Sequence, residues 1–176
     1  MLPNIVLIGF MGCGKSSVGR RLSTVTGHRF VDTDELIVHE QGVSISEIFS
    51  TVGESGFRDI EEATLRELVG VCGIILSTGG GIVLREANRP ILRSMGIVVW
   101  LDASPETLFE RASRTGKRPL LHVDDPRTRF EGLLENRRAI YEEVADFRVD
   151  STTLDHDEVT AIVLEGCRRH GKRFVC

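Results

Sequence analysis

The sequence predicts one α/β domain in which helices cover both faces of a parallel sheet. Three observations carry that expectation. Five short apolar runs alternate with amphipathic stretches of roughly ten to twenty residues, the pattern of strands buried on both faces. A glycine-rich turn joins the first run directly to a helical stretch. No internal repeat, low-complexity segment or linker interrupts the 176 residues, a length that suits a single hydrophobic core.

Asn4 to Ile8 is the first strand. Val18, Leu22 and Val25 then mark one face of a helix that Gly27 stops. Arg29 to Asp32 is a second strand. Ser44-Ile45-Ser46-Glu47 reads as a capping box, and from Glu54 to Val69 the residues Phe57, Ile60, Leu65 and Leu68 recur at helical spacing. Ile74 to Ser77 is a third strand, running into Gly79-Gly80-Gly81. Ile97 to Leu101 is a fourth, followed by Ser104-Pro105 as N-cap and first-turn proline. A long helix starts near Asp125-Pro126 and carries Phe130, Leu133, Leu134 and Tyr141. Phe147 to Val149 is the fifth strand, and Val159, Ile162 and Val163 mark a last helix.

Composition narrows the function classes. The net charge of -4 and pI near 5.8 argue against a nucleic-acid partner. Positive charge is instead local, in Arg111, Arg114, Lys117 and Arg118 and again in Arg137 and Arg138, which fits small anionic ligands. No run reaches the ~18 apolar residues that span a bilayer. Met1-Leu2-Pro3 leads straight into the first strand, leaving no room for a signal peptide. The four cysteines (Cys13, Cys72, Cys167, Cys176) lack metal or local-bridge spacing. The expectation is a reduced, cytoplasmic, monomeric protein without membrane or zinc partners.

Gly9-Phe10-Met11-Gly12-Cys13-Gly14-Lys15-Ser16 matches G-x-x-x-x-G-K-[ST] between a strand and a helix. Glycines let successive backbone N–H groups curl around an oxyanion, and the helix N-terminus adds unpaired donors. Lys15 reaches β- and γ-phosphates, and the Ser16 hydroxyl suits Mg²⁺. The alternative is a glycine-rich turn with no ligand; Cys13 reads as a redox switch or, more plainly, as a small residue in a variable slot. With no N-K-x-D run to read guanine, the class is a small nucleotide-dependent kinase.

Asp32 and Asp34 end the second strand. In an extended segment they project to one side, beyond the carboxyl ends of strands where such sheets bind ligands. One carboxylate serves a metal and the other orients an acceptor hydroxyl; the rival reading makes both caps of a solvated turn.

These motifs, with Phe57-Arg58, the triple glycine and Arg118-Pro119-Leu120-Leu121, resemble the shikimate kinase family over essentially the whole chain. The resemblance implies a three-layer P-loop fold, with a five-stranded parallel sheet of order 2-3-1-4-5 flanked by helices, like nucleoside monophosphate kinases. It implies an acceptor-binding segment over about 33–61 and a lid over about 112–125. ATP and shikimate are the implied substrates and Mg²⁺ the cofactor. Asp34, Arg58 and Arg137 would hold shikimate, with Gly79, Gly80 and Gly81 allowing close approach and Glu61 orienting Arg58. Ile45, Phe49, Phe57 and Leu120 would form apolar walls. Gly12, Cys13, Gly14, Lys15, Ser16 and Ser17 would bind the phosphates, Arg111 would flank the adenine, and Ser16 and Asp32 would serve Mg²⁺. Asp34, Lys15 and Arg118 would be catalytic, Arg118 arriving with the lid.

Each assignment has a plainer rival. Arg58 pairs with Glu61 or Glu62 on its helix face. Arg137 and Arg138 form a solvated stripe, although Arg137 stands four residues before Tyr141 as the family's arginine does. Phe49 and Phe57 are core. Two departures bear on detail: Ala139 stands where the family often has proline, and Asp150-Ser151-Thr152-Thr153 lacks a proline that some members place over the base. The five histidines read as surface or structural. Another small-acceptor kinase, for gluconate or a nucleoside monophosphate, and a non-catalytic nucleotide-binding module are the competing functions.

Overall fold

The computed structural model describes residues 2–114 and 123–170. Arg118, expected to arrive with the lid, Leu120 and the centre of the expected lid therefore lie outside the described residues, as does the basic tail beyond His170.

Five parallel strands form one sheet in the order β2-β3-β1-β4-β5: β1 (Ile5–Ile8), β2 (Arg29–Asp32), β3 (Ile74–Ser77), β4 (Ile97–Asp102) and β5 (Phe147–Asp150). In register, Ile5 stands beside Ile75 on one side and Ile97 on the other. Every side chain of central β1 is fully buried, whereas edge strands β2 and β5 expose Arg29 and Arg148. Apolarity on both faces of the central strands demands helices on both faces. These are α1 (Lys15–Thr26), α2 (Thr33–Gln41), α3 (Ile45–Glu67), α4 (Asn88–Met95), α5 (Pro105–Ser113), α6 (Pro126–Val144) and α7 (His156–His170).

The capping box at Ser44 forms in full: Ser44 N–H donates to Glu47 Oε2 at 2.8 Å, and Glu47 N–H to Ser44 Oγ at 3.3 Å. It opens a longer α3 than the sequence suggests, because Gly53 (φ 71°) breaks the helix without ending it. Ile37, Ile48 and Phe57, backed by Ile45, Phe49 and Ile60, make a small core apart from the main one. The segment from α2 to mid-α3 thus folds against itself.

Two expectations are corrected, and two helices had gone unpredicted. Val25 is exposed on α1, and Ile162 on α7, because each stands beside the apolar stripe rather than within it. Helices α2 and α4 had no prediction; α2 follows β2 without a loop, and a strand carboxylate doubles as its cap. Cys72 is disulfide-bonded, while Cys13 and Cys167 are buried free thiols. Spacing along the chain does not reveal pairs that only folding brings together. Among the described residues no helix is long and apolar enough to cross a membrane.

Candidate functional site

The site lies beyond the carboxyl ends of β1, β2 and β3. After β1 the chain curls through Gly9, Gly12 and Gly14, all at positive φ, before α1 begins. Gly12 has a second reason to be glycine: a Cβ there would run into the Leu108 carbonyl of α5. Gly14 caps α1 with no side chain on the cap, so the first N–H groups of α1, including those of Ser16 and Ser17, face outward as anion donors. Lys15 folds over this turn, its Nζ donating to the Gly9 and Phe10 carbonyls at 2.8 and 3.1 Å and lying 3.5 Å from Cys13 Sγ. Those bonds anchor a movable cation above the cradle.

Ser16 Oγ donates to Asp32 Oδ2 at 2.8 Å and stands 3.4 Å from Ser77 Oγ. Hydroxyl and carboxylate oxygens converging from α1 and β2 make an all-oxygen donor pair, which fits Mg²⁺ because that ion keeps most of its shell for water and phosphate. The other oxygen, Asp32 Oδ1, accepts from Asp34 N–H at 3.0 Å and Glu35 N–H at 3.5 Å as the N-cap of α2. Asp34 therefore stands on the first turn of a helix, not on an extended strand end. The Asp32 side chain thus holds the Asp34 main chain, while the Asp34 carboxylate lies against Gly79.

The triple glycine joins the two halves of the site. A Cβ on Gly79 would lie 2.5 Å from Glu61 Oε1 and 2.8 Å from Asp34 Oδ1. One on Gly80 would lie 3.4 Å from the Gly9 carbonyl and 3.7 Å from Tyr141 Oη, and one on Gly81 would overlap the Arg58 guanidinium. Each glycine thus admits a different functional group against the main chain.

Arg58 is buried and donates from Nη1 to Glu61 Oε2 at 2.5 Å and from Nη2 to Glu54 Oε1 at 3.0 Å. Its Nε and Glu61 Oε1 are buried without partners among the described residues. Burial works against both charges, with opposite results. At Arg58 the two glutamates outweigh burial and the guanidinium holds its proton more firmly. At Glu61 burial, reinforced by the Asp34 charge, outweighs Arg58 and Arg137 and lifts the carboxyl above its usual range. The surface-pair rival for Arg58 named Glu61 correctly but not Glu62, which pairs with Arg66.

Arg137 and Arg138 part ways. Arg137 is buried, reaches the Gly80 carbonyl at 3.3 Å and lies over the Phe10 ring at 5.3 Å. Arg138 is half-buried and turns to Asp102 at 3.5 Å, so the pair is not a solvated stripe. Tyr141 donates to the same Gly80 carbonyl at 2.5 Å, and burial pushes its phenol well above the ordinary range. Phe49 and Phe57 pack with ring centroids 4.5 Å apart and planes tilted by 33° in the satellite core.

Arg111 is tied to the segment after β5, donating to Ser151 Oγ at 3.2 Å and the Ser151 carbonyl at 3.1 Å. Sequence reasoning missed a neighbour here. His156, on the first turn of α7, would stand 4.0 Å from a Cβ on Gly14, and it lines an open cleft of about 510 Å³ with Ser17, Arg20 and Asp157. Its proximity depends on how α7 packs on α1, which spacing does not encode. Among the described residues no cluster of three or more histidine, cysteine or acidic side chains could hold a metal ion.

A family model described as shikimate kinase matches residues 11–168. A shikimate kinase from Thermodesulfovibrio yellowstonii is 44% identical over 168 residues, covering 96% of each chain. One from Actinobacillus pleuropneumoniae is 45% identical over 158 residues, covering 90% of this chain and 88% of its own. Among solved structures, a shikimate kinase from Acinetobacter baumannii in complex with shikimate superposes with a TM-score of 0.93 at 36% identity, over 98% of this chain and 97% of that one.

Proposed function

The chain belongs to the shikimate kinase family, and from that premise we propose that it transfers the γ-phosphoryl group of MgATP to the 3-hydroxyl of shikimate, giving shikimate 3-phosphate and ADP. The observation that carries the reading is the meeting at the triple glycine: a phosphate cradle and an Arg58–Glu61 carboxylate reader share one stretch of main chain, with Asp34 between them.

Shikimate is a small polyol with one carboxylate. A guanidinium grips such a carboxylate with two parallel N–H bonds, so Arg58 and Arg137 fit that end of the molecule. Asp34 then orients the ring hydroxyl that attacks and accepts its proton. In-line placement matters more here than covalent help, because the transferring group passes through a loose, charge-rich transition state. Lys15, released from the Gly9 and Phe10 carbonyls, follows the moving charge, and Arg118 joins it from the lid segment of about 112–125. Ser16 and Asp32 would hold Mg²⁺, which draws charge from the phosphate oxygens. Arg111 braces the segment against which the nucleoside rests.

Both halves of the site come from one chain, which supports a monomer. An ATP donor fits a cytoplasmic setting. An ADP-release assay across shikimate, gluconate and nucleoside monophosphates tests the reading. Shikimate is expected to exceed the others by orders of magnitude, whereas comparable turnover of gluconate would overturn it. Binding of ATP and shikimate without turnover would instead restore a non-catalytic role.

A further inference from the structure

We propose that Glu54 is a placeholder: its carboxylate occupies half of the Arg58 fork and yields it to the carboxylate of the acceptor. The inference rests on the reading of Arg58 as the carboxylate reader. Arg58 has two partners on its own helix, and they are not equivalent. The Glu61 side chain is 1% exposed, whereas that of Glu54 is 45% exposed. Glu61 forms the floor beneath the guanidinium and Glu54 stands at its mouth.

A planar guanidinium presents its donors in fixed pairs, and the edge formed by Nε and Nη2 accepts both oxygens of one carboxylate. On that edge Nη2 is held by Glu54 at 3.0 Å, while Nε is buried and has no partner among the described residues. Glu54 therefore fills one of two adjoining places with a single oxygen. A buried donor left unpaired is costly, which marks the second place as one where a ligand oxygen belongs. The guanidinium cannot turn elsewhere to meet a ligand, because it is pressed against the Gly81 main chain. The Nη1 bond to Glu61 lies on the other side and survives the exchange.

Position favours easy withdrawal. Glu54 directly follows Gly53, where φ of 71° breaks α3, so it begins a new helical turn with solvent beside it. Rotation of its own side chain clears the fork without disturbing Glu61. A ligand must offer both carboxylate oxygens to replace one ion pair and also satisfy Nε. Small anions that reach only Nη2 gain nothing over Glu54, so the placeholder raises selectivity at some expense in affinity.

Calorimetric titration of shikimate into the intact protein, with MgADP bound, tests this in Glu54→Gln and Glu54→Asp. Loss of a part-exposed competing ion pair should tighten shikimate binding in Glu54→Gln by roughly two- to fivefold. Glu54→Asp, whose carboxylate falls one methylene short of the fork, should lie between wild type and Glu54→Gln. Melting midpoints report whether each variant is folded. Unchanged binding in a folded Glu54→Gln would make Glu54 a bystander, and weaker binding would make it a support that holds Arg58 in place; either result overturns the proposal. Failure of the broader reading looks different, since wild type would then fail to phosphorylate shikimate whatever the Glu54 variants do.

Discussion

The cradle around Gly9 to Ser16 and the pocket around Arg58 meet at the triple glycine but are built from different material. On the cradle side the groups proposed to meet a phosphate are backbone N–H donors, held by positive-φ glycines and by α1, and the strand behind them is fully buried. On the pocket side they are charged side chains from α2, α3 and α6 that hold one another, over a satellite core of three buried residues. A main-chain site is set once the sheet forms. A side-chain site depends on every ion pair within it, and its buried charges are stable only while they are paired.

That contrast predicts separable failures. The largest belongs to Asp34, which stands between the halves: Asp34→Asn should lower turnover by roughly 10²- to 10⁴-fold, the usual worth of a positioned proton acceptor. ADP titration of that variant should show unchanged affinity, and near-normal turnover would remove Asp34 from its role. Next come the glycines. Gly12→Ala drives a Cβ into the Leu108 carbonyl at a φ of 85°, and should weaken ADP binding and lower the melting midpoint together. Gly81→Ala displaces the Arg58 guanidinium instead, so shikimate binding should fall by about tenfold or more while ADP binding holds. If both variants lose both ligands equally, the two halves are not independent.

Much of this division was legible in the sequence. The strands announce themselves as apolar runs, and the cradle is a contiguous motif whose physics is local. The capping box at Ser44 is equally local. The pocket was legible only through a resemblance: Arg58 and Glu61 are within reach on one helix, but only folding brings Arg137 of α6 to the same triple glycine. Glu54 shows the limit: it stands four residues before Arg58, well within reach on a helix, yet the reading named only Glu61 and Glu62 as partners. Asp34 was read as the end of a strand, whereas the strand ends at Asp32, which caps the helix whose first turn carries Asp34. The burial of Val25 was overestimated because a helical stripe read from few apolar residues leaves its edge undefined.

Smaller effects test the ion network. Glu61→Gln leaves Arg58 buried with one charge fewer beside it and should destabilise the fold by ~3–5 kcal/mol, read by denaturant melts. The same residue has a pH signature. Its carboxyl is lifted by burial, so it binds a proton more tightly folded than unfolded. Its contribution therefore favours the fold at low pH and is lost as pH rises from the ordinary carboxyl range through the lifted value. Melts of wild type and Glu61→Gln across that window should differ in slope, the variant being flatter. Parallel slopes would mean that Glu61 stays ionised in the fold.

The most direct test of a charge-reading acceptor half beside a main-chain donor half is turnover of shikimate against its methyl ester, which keeps the ring and hydroxyls but cannot pair with Arg58 or Arg137 as an anion. The expected result is a loss of roughly 10²-fold or more in kcat/KM for the ester, with KM for ATP unchanged. An ester turned over as well as the acid would show that the guanidinium groups do not read a carboxylate.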